Sequence, residues 1–283
     1  MFPGAMVLPM SPHQGGGRST RRAPSPKGHD PRRARTSRGN DGNGGTKSQR
    51  VARAQLDDGA PDPVRFRSRR ERNFELPRAV VDELRALTDP RTALVLERRM
   101  VKAAQDYERD RYKEALQSIR AVLDAAPDSA AARELHGLIL YRLGRWRHAA
   151  RELRAVHEMS GSFDQYPVIA DCERAMGRLD KVGEIWESLR REGVDKEVLV
   201  EGRLVMAGAL ADAGDLAGAI VLLQPAARQR RKQADVSLLR EWYALAHLYE
   251  LAGDLPRARE LFSRVATQAP DLLDAAERLR AIR

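Results

Sequence analysis

A pattern that recurs five times between about residues 92 and 270 constrains the fold of this 283-residue chain more than any other feature. In each copy a short break is followed two residues later by a large apolar residue, and apolar residues recur at helical spacing throughout. One pair of antiparallel helices cannot cover its own apolar face, so we expect neighbouring pairs to stack into an all-α fold. The breaks, spaced 34, 33, 37 and 39 residues apart, fall at Asp110, Gly144, Gly177, Gly214 and Gly253.

Two further positions carry matched residue types in every copy. A small or β-branched residue lies five places after the break, where it lets two helix backbones approach closely, and a bulky residue one turn later fills the groove beside that contact. The break residue itself is expected in the left-handed conformation that ends a helix. In chain order the small positions are Ala115, Ala149, Val182, Ala219 and Ala258, and the bulky positions are Ile119, Leu153, Trp186, Leu223 and Phe262.

These positions make the chain resemble a tetratricopeptide repeat protein of bacterial type with about five repeats. The last repeat is the nearest match to the family signature, and the third, whose first helix should be shortened by Pro167, is the weakest. The resemblance implies a superhelical solenoid of antiparallel helix pairs whose groove is lined by the first helix of each pair. The matching residues of the last repeat are Trp242, Leu245, Ala246, Tyr249, Gly253, Leu255, Ala258, Phe262, Val265 and Pro270.

The chain divides into a basic tail and a repeat domain. Residues 1–75 hold 16 Lys and Arg against 7 Asp and Glu and are rich in glycine and proline, so they have little to bury and are predicted to be disordered. Within the repeat domain, Pro225 predicts a kink or an early end of its helix near Leu223, and 228–232 is predicted to end that helix or form a basic loop. The repeat domain, 76–283, comprises a leading helix at about 77–88, repeats at about 92–270 and a closing helix at about 271–282.

The tail leaves two interpretations open. A cationic segment could hold RNA or DNA through salt-sensitive attraction, yet only Phe66 and Phe74 accompany its late basic run, fewer aromatic residues than stacking platforms use. The alternative is a non-specific solubilising extension or a mis-assigned translation start. The sequence contains no apolar run long enough to span a membrane, and it has a single cysteine, Cys172. Both features favour a cytoplasmic protein without membrane attachment.

No pattern that carries catalytic chemistry occurs in the sequence. There is no phosphate-binding loop and no pair of histidines at zinc-protease spacing, so we expect no enzyme activity, cofactor, metal or small-molecule substrate. His136 falls on a core-facing position and is interpreted as a packing residue, and Cys172 is interpreted as a buried, inert thiol. The three tryptophans fall on repeat positions and are expected in the core.

The resemblance also implies a set of partner-binding residues in the groove. Exposed tyrosine and arginine there would anchor a peptide or helix of a protein partner, whereas Met100 and Ala104 stand where some family members clamp a terminal carboxylate. We therefore predict a non-enzymatic protein-interaction scaffold, the alternative being a nucleic-acid-associated factor that binds through its tail and recruits protein through its repeats. The groove residues are Glu134, Leu138, Tyr141, Arg142, Asp171, Arg174, Tyr243, His247 and Glu250.

Overall fold

A computed structural model describes residues 74–229 and 231–282, and the predicted basic tail lies almost entirely outside them. The described residues form twelve helices and no strand, which confirms the all-α prediction. The helices are α1 Arg78–Leu87, α2 Pro90–Glu108, α3 Tyr112–Ala125, α4 Ala130–Arg142, α5 Trp146–Ser160, α6 Tyr166–Ala175, α7 Leu179–Arg191, α8 Lys196–Asp212, α9 Leu216–Arg228, α10 Val236–Leu251, α11 Leu255–Gln268 and α12 Ala275–Ala281.

The helices pack against their neighbours in chain order. Five pairs, α2 with α3 through α10 with α11, form the five predicted repeats, and the second helix of each pair contacts the first helix of the next. Some first helices also contact the first helix of the next pair: α2 contacts α4, α6 contacts α8, and α8 contacts α10. Every pair therefore shares its apolar surface with the pair before or after it, as the repeat pattern predicted.

The five break residues are the turns between the helices of each pair, and all five have left-handed backbone conformations, with φ between 59° and 86°. Asp110 is the one without the conformational freedom of glycine. Its carboxylate accepts hydrogen bonds from the Tyr112 hydroxyl and from Arg142, the latter at 3.1 Å. These contacts offset the cost of the left-handed turn and explain why aspartate serves where the other repeats have glycine.

The matched positions form the core. The small residues of all five repeats, and the bulky residues that follow them, are buried. At Gly137 the first and second helices of repeat two approach so closely that a Cβ atom would lie 2.6 Å from Cδ2 of Leu153. Trp186 and Trp242 are buried and Trp146 is half-buried, which confirms that they pack within the array.

The two ends of the array match the sequence boundaries to different degrees. The leading helix lies at Arg78–Leu87, within about a residue of its predicted bounds, and buries Val80 and Leu84. The closing helix begins at Ala275, later than the predicted 271, because Leu273 adopts a left-handed conformation, with φ 55°, in the preceding turn. Leu272, Ala275 and Ile282 nevertheless join the core cluster of α10 and α11, so the segment covers the last apolar face as expected.

Of the two outcomes predicted from Pro225, an early end of α9 near Leu223 is wrong, because the helix continues through Pro225 to Arg228, and a kink stays a prediction. Proline removes the hydrogen bond to the carbonyl four residues earlier, which belongs to Val221. Val221 is 66% exposed and Pro225 is exposed as well, so the solvent side of the helix bears the interruption. The helix does end where the basic cluster starts, at Arg228, and a loop follows, as predicted.

The apolar core is divided in the middle of the array, where the third repeat is short. Pro167 lies in the first turn of α6, which has 10 residues against 13 in α4 and 17 in α8, as the shortened third repeat predicted. The buried apolar residues form one large cluster that includes α1–α5 and another that includes α9–α12. A small cluster of four residues lies between the two: Ala170, Val182, Val205 and Ala209.

Candidate functional site

A chain of polar contacts joins the first helices of repeats two, three and four. The Tyr141 hydroxyl on α4 donates to Oδ2 of Asp171 on α6 at 2.7 Å. Arg174, one turn later on α6, donates to Oδ1 of Asp171 at 3.3 Å and from Nε to Oδ2 of Asp212 on α8 at 2.6 Å. We call these four residues the central polar chain, and it fixes three successive first helices relative to one another.

A glycine in α8 makes room for the central polar chain. A Cβ atom at Gly208 would lie 2.8 Å from Cζ of Arg174, so only glycine lets the guanidinium rest against the α8 backbone. The Arg174 side chain is 9% exposed, and burial of a charge at this level requires paired carboxylates. Asp171 and Asp212 provide them from opposite sides.

The protonation equilibrium of Asp171 reflects this environment. Burial raises the pKa of the Asp171 carboxyl, while the hydrogen bond from Tyr141 and the charge of Arg174 act in the opposite direction. Deprotonated, the carboxylate accepts from both neighbours at once. Its geometry suits a structural connector between repeats.

Arg142 extends the polar surface toward repeat one. Its guanidinium donates to Asp110 and stacks over the ring of Tyr112, with Cζ 4.7 Å from the ring centroid. The side chain of Arg142 is 19% exposed and that of Asp110 is 57% exposed, so this pair remains accessible to solvent. It lies at the turn end of the first helices, next to the central polar chain.

A second polar cluster joins the last repeat to the closing helix. The Tyr243 hydroxyl donates to Asp274 at 2.5 Å, and Arg278 of α12 forms an ion pair with Glu250 at 2.6 Å. Nδ1 of His247 lies 3.7 Å from the Glu250 carboxylate. Burial and the charge of Arg278 lower the pKa of His247, so the neutral imidazole is favoured inside the cluster.

The structure places the predicted groove residues differently from expectation in one respect. Tyr141, Tyr243 and Arg174 were expected to be exposed, and this is wrong, because they are 1%, 6% and 8% exposed. The two tyrosine hydroxyls donate hydrogen bonds to Asp171 and Asp274. Leu138 belongs to the apolar core, and Glu134 accepts a 2.7 Å hydrogen bond from Gln165. The partner-binding role of all nine residues stays a prediction.

Four participants in these contacts were missed by the sequence interpretation. Asp212 and Gly208 occupy in repeat four the places that Arg142 and Leu138 occupy in repeat two, so the same register predicts both. Asp274 and Arg278 lie after the last repeat, where the pattern gives no register. Their contacts depend on where α12 packs, which a repeat pattern does not specify.

Two other singled-out residues are buried as expected. Cys172 is fully buried, and burial raises the pKa of its thiol, which disfavours the reactive thiolate. The His136 side chain is 13% exposed and packs as predicted, yet neither ring nitrogen has a hydrogen-bond partner within the described part of the chain. Burial lowers the pKa of His136, opposed by Glu152 at 3.9 Å.

No family model matches this sequence. No curated protein matches it either. Within residues 74–229 and 231–282, no helix has the length and apolar character to cross a bilayer, and no three His, Cys, Asp or Glu side chains are grouped to hold a metal ion. The fold defines the class of protein as an all-α array of sequentially packed helix pairs, and membership of the tetratricopeptide family stays a prediction.

Proposed function

We propose that the repeat domain is a non-enzymatic protein-interaction scaffold of the tetratricopeptide type, which holds an extended or helical segment of a partner against its first helices. The observation that carries this proposal is the central polar chain. It fixes side chains from three successive repeats before any partner arrives, and a preorganised surface loses less conformational entropy on binding.

The chemistry of the surface defines the kind of segment it would hold. Arg142 and Asp110 remain accessible at one end, and Glu250 and Arg278 lie half-buried at the other. A partner with both charge signs would match this surface better than a purely apolar or singly charged one. The buried tyrosines would act by positioning Asp171 and Asp274, so they are not proposed to contact the partner.

Site-specific photocrosslinking tests the proposal directly. Ala175 and Ala211 are small, half-buried residues on first helices, two and three places before a turn residue, where a photoreactive side chain would face the proposed groove. Ala217, exposed on the second helix α9, is the matched control. We expect the partner to crosslink at the first-helix positions and not at Ala217. Equal crosslinking at all three would contradict the groove.

The second candidate is a nucleic-acid-associated factor, which the excess of basic residues in 1–75 favours. Electrophoretic retardation of generic RNA by the full chain, lost when 1–75 is removed, would support it. Absence of retardation by the full chain at low salt would remove it. The two candidates are compatible, since one concerns the tail and the other the first helices.

A further inference from the structure

The residue that directly follows each turn shows a change of chemistry along the array. In all five repeats this residue precedes the second helix with nearly the same backbone angles, φ −84° to −96° and ψ 57° to 69°. In repeats four and five it is Asp215 or Asp254, whose carboxylate accepts from the backbone N–H three residues later and caps the helix. In repeats one to three it is Arg111, Arg145 or Arg178, and no side chain caps the helix.

These turns lie next to one another, so the change creates a charged edge. Arg142 at the end of α4 reaches Asp110 in the preceding turn, and Arg174 near the end of α6 reaches Asp212 at the end of α8. The seven-residue segments centred on the first three turn residues hold eight Lys and Arg against three Asp and Glu, and the same segments of repeats four and five hold none against four. One edge of the array is therefore basic over three repeats and acidic beyond them.

The arginines of this edge are accessible. Arg111, Arg145 and Arg178 are all exposed. Arg178 forms an ion pair with Glu173 at 3.1 Å, whereas Arg111 and Arg145 have no ion pair with any described residue. These arginines cap no helix and their charges are in solvent, so they contribute little to the stability of the array. They are therefore free to contact a ligand of opposite charge.

Aromatic rings accompany two of the arginines. Tyr112 follows Arg111 and Trp146 follows Arg145, and both rings are half-buried at the start of the second helix. Arg142 stacks over Tyr112, and Trp146 packs edge-to-face with Tyr141 at 5.4 Å between ring centroids. Arginines that contact phosphates beside half-buried rings match the way single-stranded nucleic acids are bound. Two rings are fewer than a stacking platform uses, so the arginines carry most of the argument.

We propose that the basic turn edge, defined by Arg111, Tyr112, Arg145, Trp146 and Arg178, binds single-stranded nucleic acid. An acidic peptide would match the charge but would not use the rings. A nucleic acid strand also carries enough charge to engage residues 1–75, which have the same sign as the edge. The edge adjoins the first-helix groove at Arg142 and Tyr141, but its arginines lie at the start of the second helices, so this inference does not depend on the proposed scaffold function.

Fluorescence anisotropy of a labelled oligouridine with the full-length chain tests the edge. The variant R111D/R145D/R178D places at each turn the residue that repeats four and five use there. We expect the affinity for oligouridine at low salt to fall by at least about tenfold. The negative slope of log affinity against log salt should become shallower by about 2, as the loss of three phosphate contacts requires. Aspartate restores the caps at positions 111 and 145, whereas Asp at position 178 would lie beside the buried carboxylate of Glu173. The double variant R111D/R145D should therefore keep or raise thermal stability and still decrease the steepness of the salt dependence by about 1.4, which separates lost binding from lost folding.

A charge-matched variant controls for net charge. R98E/R120E/R280E removes three exposed arginines outside the edge and changes the total charge equally. We expect it to retain most of the affinity, so an equal loss in both variants would overturn the proposal. Unchanged oligouridine binding by R111D/R145D/R178D, or none by the wild type at low salt, would also overturn it.

A labelled polyglutamate peptide distinguishes the other class of polyanion. If the edge variant lost binding to polyglutamate and kept binding to oligouridine, an acidic protein segment would replace nucleic acid as the ligand and the proposal would be wrong. Crosslinking of a protein partner at Ala175 and Ala211 should persist in the edge variant. Failure of the edge is thereby distinguishable from failure of the groove.

Discussion

Substitution of Gly137 by alanine tests the close packing of helix pairs on which the fold depends. Alanine favours a helix over glycine by about 1 kcal/mol, but its Cβ would lie 2.6 Å from Cδ2 and 2.7 Å from Cγ of Leu153. Leu153 is fully buried and cannot turn away without moving its neighbours. Overpacking costs about 1–3 kcal/mol, and a 2.6 Å separation between carbon atoms belongs to the upper part of that range, about 2–3 kcal/mol. After the gain in helix preference we therefore expect a net loss of about 1–2 kcal/mol in the free energy of unfolding.

The chain provides a matched control for that experiment. Gly183 lies within α7, and a Cβ atom there would meet nothing within 4 Å. Gly183→Ala should therefore stabilise the protein by up to about 1 kcal/mol through helix preference alone. Urea denaturation followed by circular dichroism would compare both variants with the wild type under identical conditions.

A double-mutant cycle identifies the clashing partner. Leu153→Ala alone should cost about 2–5 kcal/mol because it leaves a cavity, but adding Gly137→Ala to it should cost nothing further, since the clash is gone. The reasoning would be refuted if Gly137→Ala were as stable as the wild type, or if its cost persisted in the Leu153→Ala background. The first result would mean that the two helices are farther apart than 2.6 Å implies, and the second that the clash is not with the Leu153 side chain.

Three further outcomes are expected from buried polar groups. His136 and His247 have pKa values lowered by burial from 6.5, so stability is fully present above pH 6.5 and is lost as the pH falls below it toward the folded-state values; replacing both with Gln should flatten this dependence in pH-resolved thermal melts. Cys172 should resist alkylation in the native protein and react fully in denaturant, as mass spectrometry would reveal. Arg174→Met should cost about 3 kcal/mol in urea denaturation, since the largely buried Asp171 carboxylate loses its cation, and no loss would show that this ion pair is not maintained.

Much of the fold could be predicted because every repeat packs its two helices in the same way and uses the same types of residue to do so. Turn residues, small positions and bulky positions recur at fixed offsets, so one-dimensional spacing was sufficient to place ten of the helices. The closing helix was placed less well because leucine seldom adopts a left-handed conformation, and nothing in the sequence marks Leu273 as a turn residue. Likewise, a proline rule could not foresee that Pro225 lies on the solvent side of α9.

The candidate site was harder to predict because its contacts cross from one repeat to the next. Register placed Tyr141 and Arg174 on the first-helix face, but whether a side chain on that face is exposed depends on how far the next helix lies. The tyrosine hydroxyls reach that helix and become buried connectors. Gly208 shows the same dependence, since its small size has meaning only beside Arg174 of the preceding repeat.

The division of the apolar core has a mechanical consequence. Four small side chains, Ala170, Val182, Val205 and Ala209, make up the cluster between the two large ones, and they contribute less apolar burial than either of those. Separation of the array at this junction would break the ion pair between Arg174 and Asp212 and expose Trp186 and Leu189, which lie against α8. Each of the two separated sections would still have an apolar core of its own and a terminal helix, α1 or α12, that covers the end of that core.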